Sequence, residues 1–346
     1  MPHSQQLQSR TIDYLRLPLA VLIVLAHTAA LGVNSSHPVY STLCIVIRIA
    51  RIATPCFFLF SGYFFFSRLE GDWDTEAWIA KLKKKVRTLL VPYILWNIIA
   101  AVAIWGYRWT FAKAHGSTYP GFIEHITAWG GLWDQSSALP FDGPLWFLRY
   151  LIVFSIAAPV FWLFIKYTRI FGIALLTLAF LCSSVIPEGV VFFGWGAWFR
   201  ISGKNFLDEF NKARWAALIL LILTVISLLT SSQRIPELYE ISKKLFILPG
   251  IIFTMLLAGR GIASGVLKTN AFLTEATFFI YASHNILILH DFSHWAILHL
   301  LPFRGEWMEC LDLFLRPAVA VLICLGLYWL MNKITPRTLA LLTGGR

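Results

Sequence analysis

Residues 11–32 read TIDYLRLPLAVLIVLAHTAALG, an apolar stretch long enough to cross a membrane. Arg16 lies near its start, and a histidine, His27, lies deep inside it. On an α-helix eleven steps make about three turns, so both side chains lie on one face, roughly 16 Å apart along the axis. An ionisable residue well inside a spanning helix is costly and therefore marks a candidate functional site.

The composition of the whole chain points to a membrane protein. Of its 346 residues, 58% are hydrophobic and only 14% are charged, which is too few charges for the surface of a soluble protein of this length. Apolar runs of membrane length recur along the sequence. The predicted fold class is an all-α, polytopic integral membrane protein, a single domain over residues 1–346 with no soluble domain.

Breaks between the apolar runs predict about ten transmembrane helices. The sixth is the weakest, because its sequence VVFFGWGAWFRISG is short and rich in glycine. Pro55 and Gly62 in the second span predict a kinked helix. The spans are expected near residues 12–33, 43–66, 88–106, 144–165, 169–186, 190–203, 214–231, 245–260, 271–290 and 311–332.

The distribution of basic residues predicts the orientation. With both termini in the cytoplasm, 19 of the 29 Lys and Arg residues lie inside and 6 outside, as the positive-inside rule requires. The reversed orientation would place the basic run at 81–87 outside. The net charge of +11 is therefore interpreted as a topology signal. The sequence shows no basic face on a soluble segment, which is the feature that would indicate a nucleic-acid partner.

Five ionisable side chains on five different spans are predicted to lie in one layer, somewhat beyond the midplane. Taken singly, an arginine could snorkel to the headgroups and a histidine could bond a neighbouring helix. Together they favour a shared polar cavity, because each charge in lipid costs about 3 kcal/mol on insertion scales. The five are His27, Arg51, Arg149, His284 and Arg316.

Two other regions leave alternatives open. The predicted external loop 107–143 carries Trp109, Trp129 and Trp133, which would anchor it at the interface or stack on a sugar acceptor; His115, His125, Asp134 and Asp142 lie in the same loop. The histidines at 290, 294 and 299 have spacings found in metal sites. They also lie at a helix end where polar residues belong, so no metal is expected. The five cysteines show no CxxC or disulfide pattern.

Several motifs resemble those of the acyltransferase family 3 membrane proteins. The opening DYLRLPLAVLIVLAHT, with Arg16 and His27 eleven positions apart, resembles the first helix of that family. TPCFFLFSGYFFF, KKKVRTLLVPYILW, GPLWFLRYLIVF and FFIYASHNILIL are similar to its second, third, fourth and penultimate helices, in the same order. The resemblance covers nearly the whole chain.

The resemblance implies an O-acyltransferase of the cell membrane, expected in the bacterial inner membrane. It would move an acyl group, in the family usually acetyl, from cytoplasmic acyl-CoA to a hydroxyl of a surface glycan, a lipid-linked saccharide or a small metabolite. The family has two arginines before its third helix, whereas this chain has Lys84 and Arg87. Lysine still holds a phosphate, as a point charge.

These residues suggest a division of roles. Arg16, Lys84 and Arg87 would bind the phosphates of acyl-CoA. His27 would act as general base, or accept the acyl group itself. Arg149 and Arg51 would stabilise the oxyanion, and His284 would orient the acceptor or its base. The competing interpretation is a transporter of a sugar, polysaccharide or amino acid, although no inverted repeat is visible. The acceptor and the oligomeric state stay open.

Overall fold

The computed structural model describes residues 3–29, 38–49, 51–67, 69, 71–128, 141–231, 235–300 and 306–345. Helices, with no strand, form the regular structure of these described ranges. Short π-helical segments cover Val86–Leu90 and Ile288–Phe292, and a 3₁₀ turn covers Gly143–Leu145. The α-helices are α1 His3–Ala29, α2 Pro38–Ile49, α3 Ala53–Phe65, α4 Thr75–Lys85, α5 Val91–Ala114, α6 Phe122–Ala128, α7 Trp146–Ile156, α8 Ala158–Cys182, α9 Glu188–Ile201, α10 Phe206–Ser231, α11 Pro236–Ala263, α12 Ala271–Ser283, α13 Ser293–Leu300, α14 Glu306–Ile334 and α15 Pro336–Thr343.

Several helices are long and apolar enough to cross a bilayer, so the chain is a multi-pass membrane protein. Within the described ranges six qualify, or seven if the bent pair Ala271–Ser283 and Ile288–Ile297 forms one span. Three shorter apolar helices accompany them. The six are Ser4–Ala29, Thr75–Ala114, Ala158–Cys182, Phe206–Thr230, Pro236–Ala263 and Trp307–Ile334.

The chain divides into two compact units. The first comprises Met1–Ile23, Ile45–Lys81 and Val153–Thr274. The second comprises Val24–Cys44, Leu82–Ile152 and Glu275–Arg346.

The first unit is built around close packing of α3 on α9. A Cβ atom on Gly62 would overlap the backbone carbonyl of Phe193, and one on Gly196 would overlap that of Leu59. Gly62 therefore allows two helices to approach each other and does not kink α3. The expected break in the second span lies earlier, between α2 and α3, so that Pro55 falls in the first turn of α3, where its missing N–H is tolerated.

Helix α8 bends back on itself at Arg169, whose φ of 52° and ψ of −136° interrupt the helical backbone. Phe161 and Leu176, on either side of the bend, come within 3.8 Å and 3.9 Å of the position that a Cβ on Gly194 would occupy. In a straight helix their Cα atoms would lie about 22 Å apart. This bend falls beside the predicted boundary between the fourth and fifth spans.

In the second unit, the C-terminal helix packs on the start of α5. The indole of Trp96 donates a hydrogen bond to the carbonyl of Leu342 over 2.9 Å. Gly344 has a φ of 72° and lies against the backbone of Thr88, where a Cβ atom would overlap it. The tail thus covers the beginning of α5.

The predicted ninth span, 271–290, is not one straight helix. Helix α12 ends at Ser283, Leu287 adopts a left-handed φ of 59°, and the following helical segment is turned by 85°. The hydroxyl of Ser283 donates to the carbonyl of Phe279, over 2.7 Å, just before the break. The sequence pattern predicted the apolar span but not the break at Leu287.

Helix α5 extends to Ala114, past the expected boundary at 106. The remainder of the predicted external loop includes the short helix α6. Trp129, Trp133 and Asp134 lie outside the described residues.

Candidate active site

Two histidines predicted from the sequence lie in contact in the second unit. The rings of His27 on α1 and His284, which directly follows α12, meet edge to face with centroids 5.2 Å apart and planes at 82°. His27 is half-buried and His284 is fully buried. The fold thus brings together two imidazoles that are 257 positions apart in the sequence.

Hydrogen bonds determine which nitrogen of His284 carries the proton. Its Nδ1 lies 3.0 Å from the carbonyl oxygen of Ile280 and 2.9 Å from that of Tyr281. Carbonyl oxygens only accept, so Nδ1 is the protonated nitrogen. Nε2 is buried without a hydrogen-bond partner in the described part of the chain. A proton there would leave a buried charge unpaired, so the neutral ring with a lone pair on Nε2 is favoured.

A second polar group surrounds Arg316 on α14. Its guanidinium donates to the carboxylate of Asp312, one helical turn earlier, and lies 2.8 Å from Nδ1 of His294 on α13. Arg316 is 9% exposed and Asp312 is 7% exposed, so this is a buried ion pair. Tyr40 on α2 also interacts electrostatically with Arg316.

His290 connects the two groups. It lies within electrostatic range of His27 and His284, and also of Arg316 and His294. Its Nδ1 is buried without a hydrogen-bond partner among the described residues. The second unit therefore contains a continuous polar region in an otherwise apolar set of helices.

The beginning of α7 is held against the end of α12. The hydroxyl of Tyr281 donates to the carbonyl of Pro144, and a Cβ atom on Gly143 would lie 3.8 Å from Nδ2 of Asn285. One helical turn into α7, Arg149 interacts electrostatically with Tyr93 of α5. Arg149 is thus carried by a helix that is fixed to the His284 segment.

Asp142, just before this turn, has an unusual environment. It is 1% exposed, and neither carboxyl oxygen has a hydrogen-bond partner among the described residues. Its backbone N–H donates to Oδ1 of Asn97, over 3.4 Å. Burial raises the pKa of the Asp142 carboxyl well above its usual range.

The remaining residues predicted for the site, Arg16, Arg51, Lys84 and Arg87, lie on other segments of the chain. Arg51 belongs to the first unit and pairs with Glu188 over 3.4 Å, with its side chain 58% exposed. Arg16, also in the first unit, lies 3.4 Å from Asp13. Lys84 and Arg87 are exposed at the end of α4 and in the following π-helical segment of the second unit.

Asp312 was not predicted from the sequence. The four-residue spacing from Asp312 to Arg316 in LDLFLRP is the signal that would have found it, because such side chains face each other on a helix. His290 and His294 were considered only as metal ligands. Within the described ranges no group of three or more His, Cys, Asp or Glu residues could hold a metal ion.

The helices and the polar region define a multi-pass membrane protein with an imidazole pair inside it. A family model described as an acyltransferase domain matches residues 10–337, and the chain belongs to this family, acyltransferase family 3. It is therefore an acyltransferase. The family membership predicted from the sequence is confirmed.

A curated relative is the succinoglycan biosynthesis protein ExoH of Rhizobium meliloti (strain 1021). It is 27% identical over 311 residues, which cover 86% of this chain and 80% of the relative. No solved structure shows significant similarity to the chain.

Proposed function

We propose that this membrane acyltransferase moves an acyl group from acyl-CoA to a hydroxyl of a glycan or lipid-linked saccharide. The contact between the rings of His27 and His284 is the observation that carries the proposal. Membership of the family supports the reaction class. The similarity to ExoH, a succinoglycan biosynthesis protein, supports a saccharide acceptor. Acetyl is the acyl group that we expect.

His27 is the proposed general base. It takes the proton of the acceptor hydroxyl while the oxygen attacks the thioester carbonyl carbon. The carbon–sulfur bond then breaks, and the CoA thiolate takes this proton from His27. The products are an O-acyl ester and CoA. His284, neutral and fixed by its Nδ1–H bonds, stabilises the imidazolium that forms on His27.

Arg149 is the proposed oxyanion ligand. It lies on α7, whose first turn is held by Tyr281 beside the His284 segment, so its helix is positioned relative to the base. A guanidinium near the carbonyl oxygen would stabilise the negative charge that develops in the transition state. Arg51 could take this role only by leaving Glu188, which makes it the weaker of the two candidates.

Arg16, Lys84 and Arg87 are the proposed ligands of the CoA phosphates. Lys84 and Arg87 are exposed, and the side chain of Arg16 is 39% exposed, so all three can reach a soluble anion. Arg16 and His27 lie on one continuous helix, α1. That helix would align the long arm of the donor with the base.

Asp142 is a candidate for binding the acceptor. Its carboxyl has two oxygens without partners among the described residues, and the residue after it lies beside Asn285. A carboxyl group in this state can accept or donate hydrogen bonds with sugar hydroxyls. Its place in the predicted external loop agrees with an acceptor that belongs to the cell envelope.

For the topology we propose ten passages with both termini in the cytoplasm of a bacterial inner membrane. Contacts within the first unit support this, because they join segments predicted on one side. Phe206 donates its N–H to the side chain of Gln8, and Lys166 pairs with Asp72 over 3.1 Å. The bend at Arg169 supports separate fourth and fifth passages.

A direct test uses the purified full-length protein with acetyl-CoA and lipid-linked saccharides. We expect release of free CoA together with an ester-bound acetyl group on the saccharide. Hydrolysis of the donor without ester formation would contradict transfer to that acceptor. Transport of an unmodified sugar into proteoliposomes, with no CoA released, would favour the alternative function.

A further inference from the structure

The first unit contains a cavity of about 410 Å³. This volume falls in the range of small-ligand sites, roughly 300–1,000 Å³. Its wall is mostly apolar and includes two cationic residues of α8, Lys166 and Arg169. The lining residues are Gly71, Trp162, Ile165, Lys166, Arg169, Ile170, Trp198, Ile201 and Ser202.

The bend of α8 forms one wall of the cavity. Trp162, Ile165, Lys166 and Arg169 follow the spacing of one helix face, and the backbone turns back at Arg169. Arg169 adopts a φ of 52°, which is costly for a residue with a side chain. The surrounding structure holds this conformation, and Arg169 lines the cavity.

One polar group of the wall has no partner. Trp162 is 6% exposed, and its indole Nε1 has no hydrogen-bond acceptor among the described residues. A buried donor without an acceptor is unfavourable. Because Nε1 is closed to solvent, an acceptor supplied by a ligand would satisfy it once the ring shifts slightly toward the cavity. The ammonium of Lys166 lies 4.4 Å from the centre of the same ring.

The charges favour an anion with several oxygen acceptors. Arg169 offers a planar fork of donors, Lys166 a point charge and Trp162 a neutral donor. Lys166 is bonded to Asp72, whose side chain is 98% exposed. Exposed ion pairs are weak, so Lys166 can exchange Asp72 for a phosphate.

The surroundings of the cavity favour a lipid as the source of that phosphate. On α8, next to the lining residues, Tyr167 is 79% exposed and Phe171 is 81% exposed. Large apolar side chains on a spanning helix face acyl chains. The basic segment 166–169 lies on the predicted cytoplasmic side, where basic pockets between helices bind anionic headgroups.

We propose that the cavity lined by Trp162, Lys166 and Arg169 binds the phosphate of an anionic phospholipid headgroup, with the acyl chains along the exposed face of α8. This site is independent of the acyl-transfer chemistry assigned to the second unit. The other source of the same chemistry is coenzyme A, and the experiment distinguishes the two.

The test measures binding of phosphatidylglycerol and phosphatidylcholine to the full-length protein in detergent by native mass spectrometry. We expect phosphatidylglycerol to bind more tightly. Arg169→Gln and Trp162→Phe should each weaken it, by about tenfold for the lost charge-assisted bond and less for the indole N–H. Binding of phosphatidylcholine should not change.

Trp162→Phe retains an aromatic ring and loses the indole N–H, so it tests the hydrogen bond while keeping part of the packing. The matched control is Arg214→Gln on α10, where the guanidinium of Arg214 lies over the ring of Trp215 and neither residue lines the cavity. It should bind phosphatidylglycerol like the unmodified protein.

Two results would overturn the proposal. Equal binding of the two lipids, or unchanged phosphatidylglycerol binding in Arg169→Gln, would exclude a phosphate-binding site in this cavity. Displacement of the lipid by coenzyme A, with coenzyme A binding lost in the same variants, would assign the cavity to the soluble donor instead.

Discussion

The ring of His27 contacts the ring of His284 edge to face, at 5.2 Å between centroids. His284 donates its Nδ1 proton to backbone carbonyls and keeps its Nε2 lone pair inside the protein. A base placed beside a neutral, oriented imidazole can take a proton without facing a second charged imidazole. This arrangement is the basis of the first two predictions.

Replacement of His27 by alanine should abolish acyl transfer. Loss of a general base lowers the rate by about 10²–10⁴-fold. Turnover would be followed by the release of CoA and by ester formation on the saccharide. His299→Ala is the matched control, since His299 is exposed on α13 and bonds only to the carbonyl of Trp295 over 2.8 Å among described residues. Near-normal activity of the His27 variant would exclude the base role.

His284→Phe should also lower turnover strongly, because phenylalanine retains the ring contact but supplies no nitrogen. We expect a fall of about 10²-fold with an unchanged KM for the donor. The control is Ser283→Ala, which removes a neighbouring side-chain bond to Phe279 at a cost of about 1 kcal/mol. If both variants lose turnover equally, His284 has only a structural role.

Arg316→Leu should destabilise the protein. It leaves the Asp312 carboxylate buried without its ionic partner, and breaking a buried pair costs about 3–5 kcal/mol. Thermal unfolding in detergent measures the effect. Glu240→Gln is the comparison, because the Lys243–Glu240 pair is exposed and contributes about 0–1 kcal/mol. Equal unfolding temperatures for the two variants would show that the buried pair is unimportant.

Gly196→Ala should disrupt the packing of α9 on α3. The added methyl group would overlap the carbonyl of Leu59 and approach the nitrogen of Tyr63, so the helices must separate, at a cost of about 1–3 kcal/mol or more. Gly326→Ala on α14 has open space around the new atom. It should be neutral or stabilising by about 0.5–1 kcal/mol. The prediction fails if the unfolding temperatures of the two variants agree.

Arg16→Ala should raise the KM for acyl-CoA about tenfold, since one charge-assisted contact to phosphate is lost, with a smaller change in turnover. Steady-state kinetics with varied acetyl-CoA measure this. The control is Lys113→Ala at the end of α5, a cation predicted on the opposite side of the membrane. An unchanged donor KM in the Arg16 variant would remove Arg16 from the donor site.

Local patterns in the sequence were sufficient to predict the helical class and the family. Apolar runs of membrane length predicted the helical class, and the motifs around Arg16 and His27 predicted the family, which the family match confirms. Such features depend on neighbouring residues and on the thickness of a bilayer, so they can be derived without knowing which helices meet.

Breaks in the helices were harder to predict. The turn after α12 includes the left-handed residue Leu287, and α8 bends at Arg169; neither position carries a glycine or proline that would have indicated the break. Gly62 illustrates the difficulty, since a glycine in an apolar helix is equally consistent with a kink and with a close approach. Only the position of the neighbouring helix decides between them.

For this protein the sequence alone determined the membrane class, the family and the positions of the ionisable residues along their helices. The tertiary structure decided which of these residues meet: His27 with His284, Arg316 with Asp312 and His294, and Arg51 with Glu188. The physical reason is that a residue's depth follows from counting along its own helix. Its partner depends on the rotation and packing of a second helix, which are set by side-chain shape over many distant contacts.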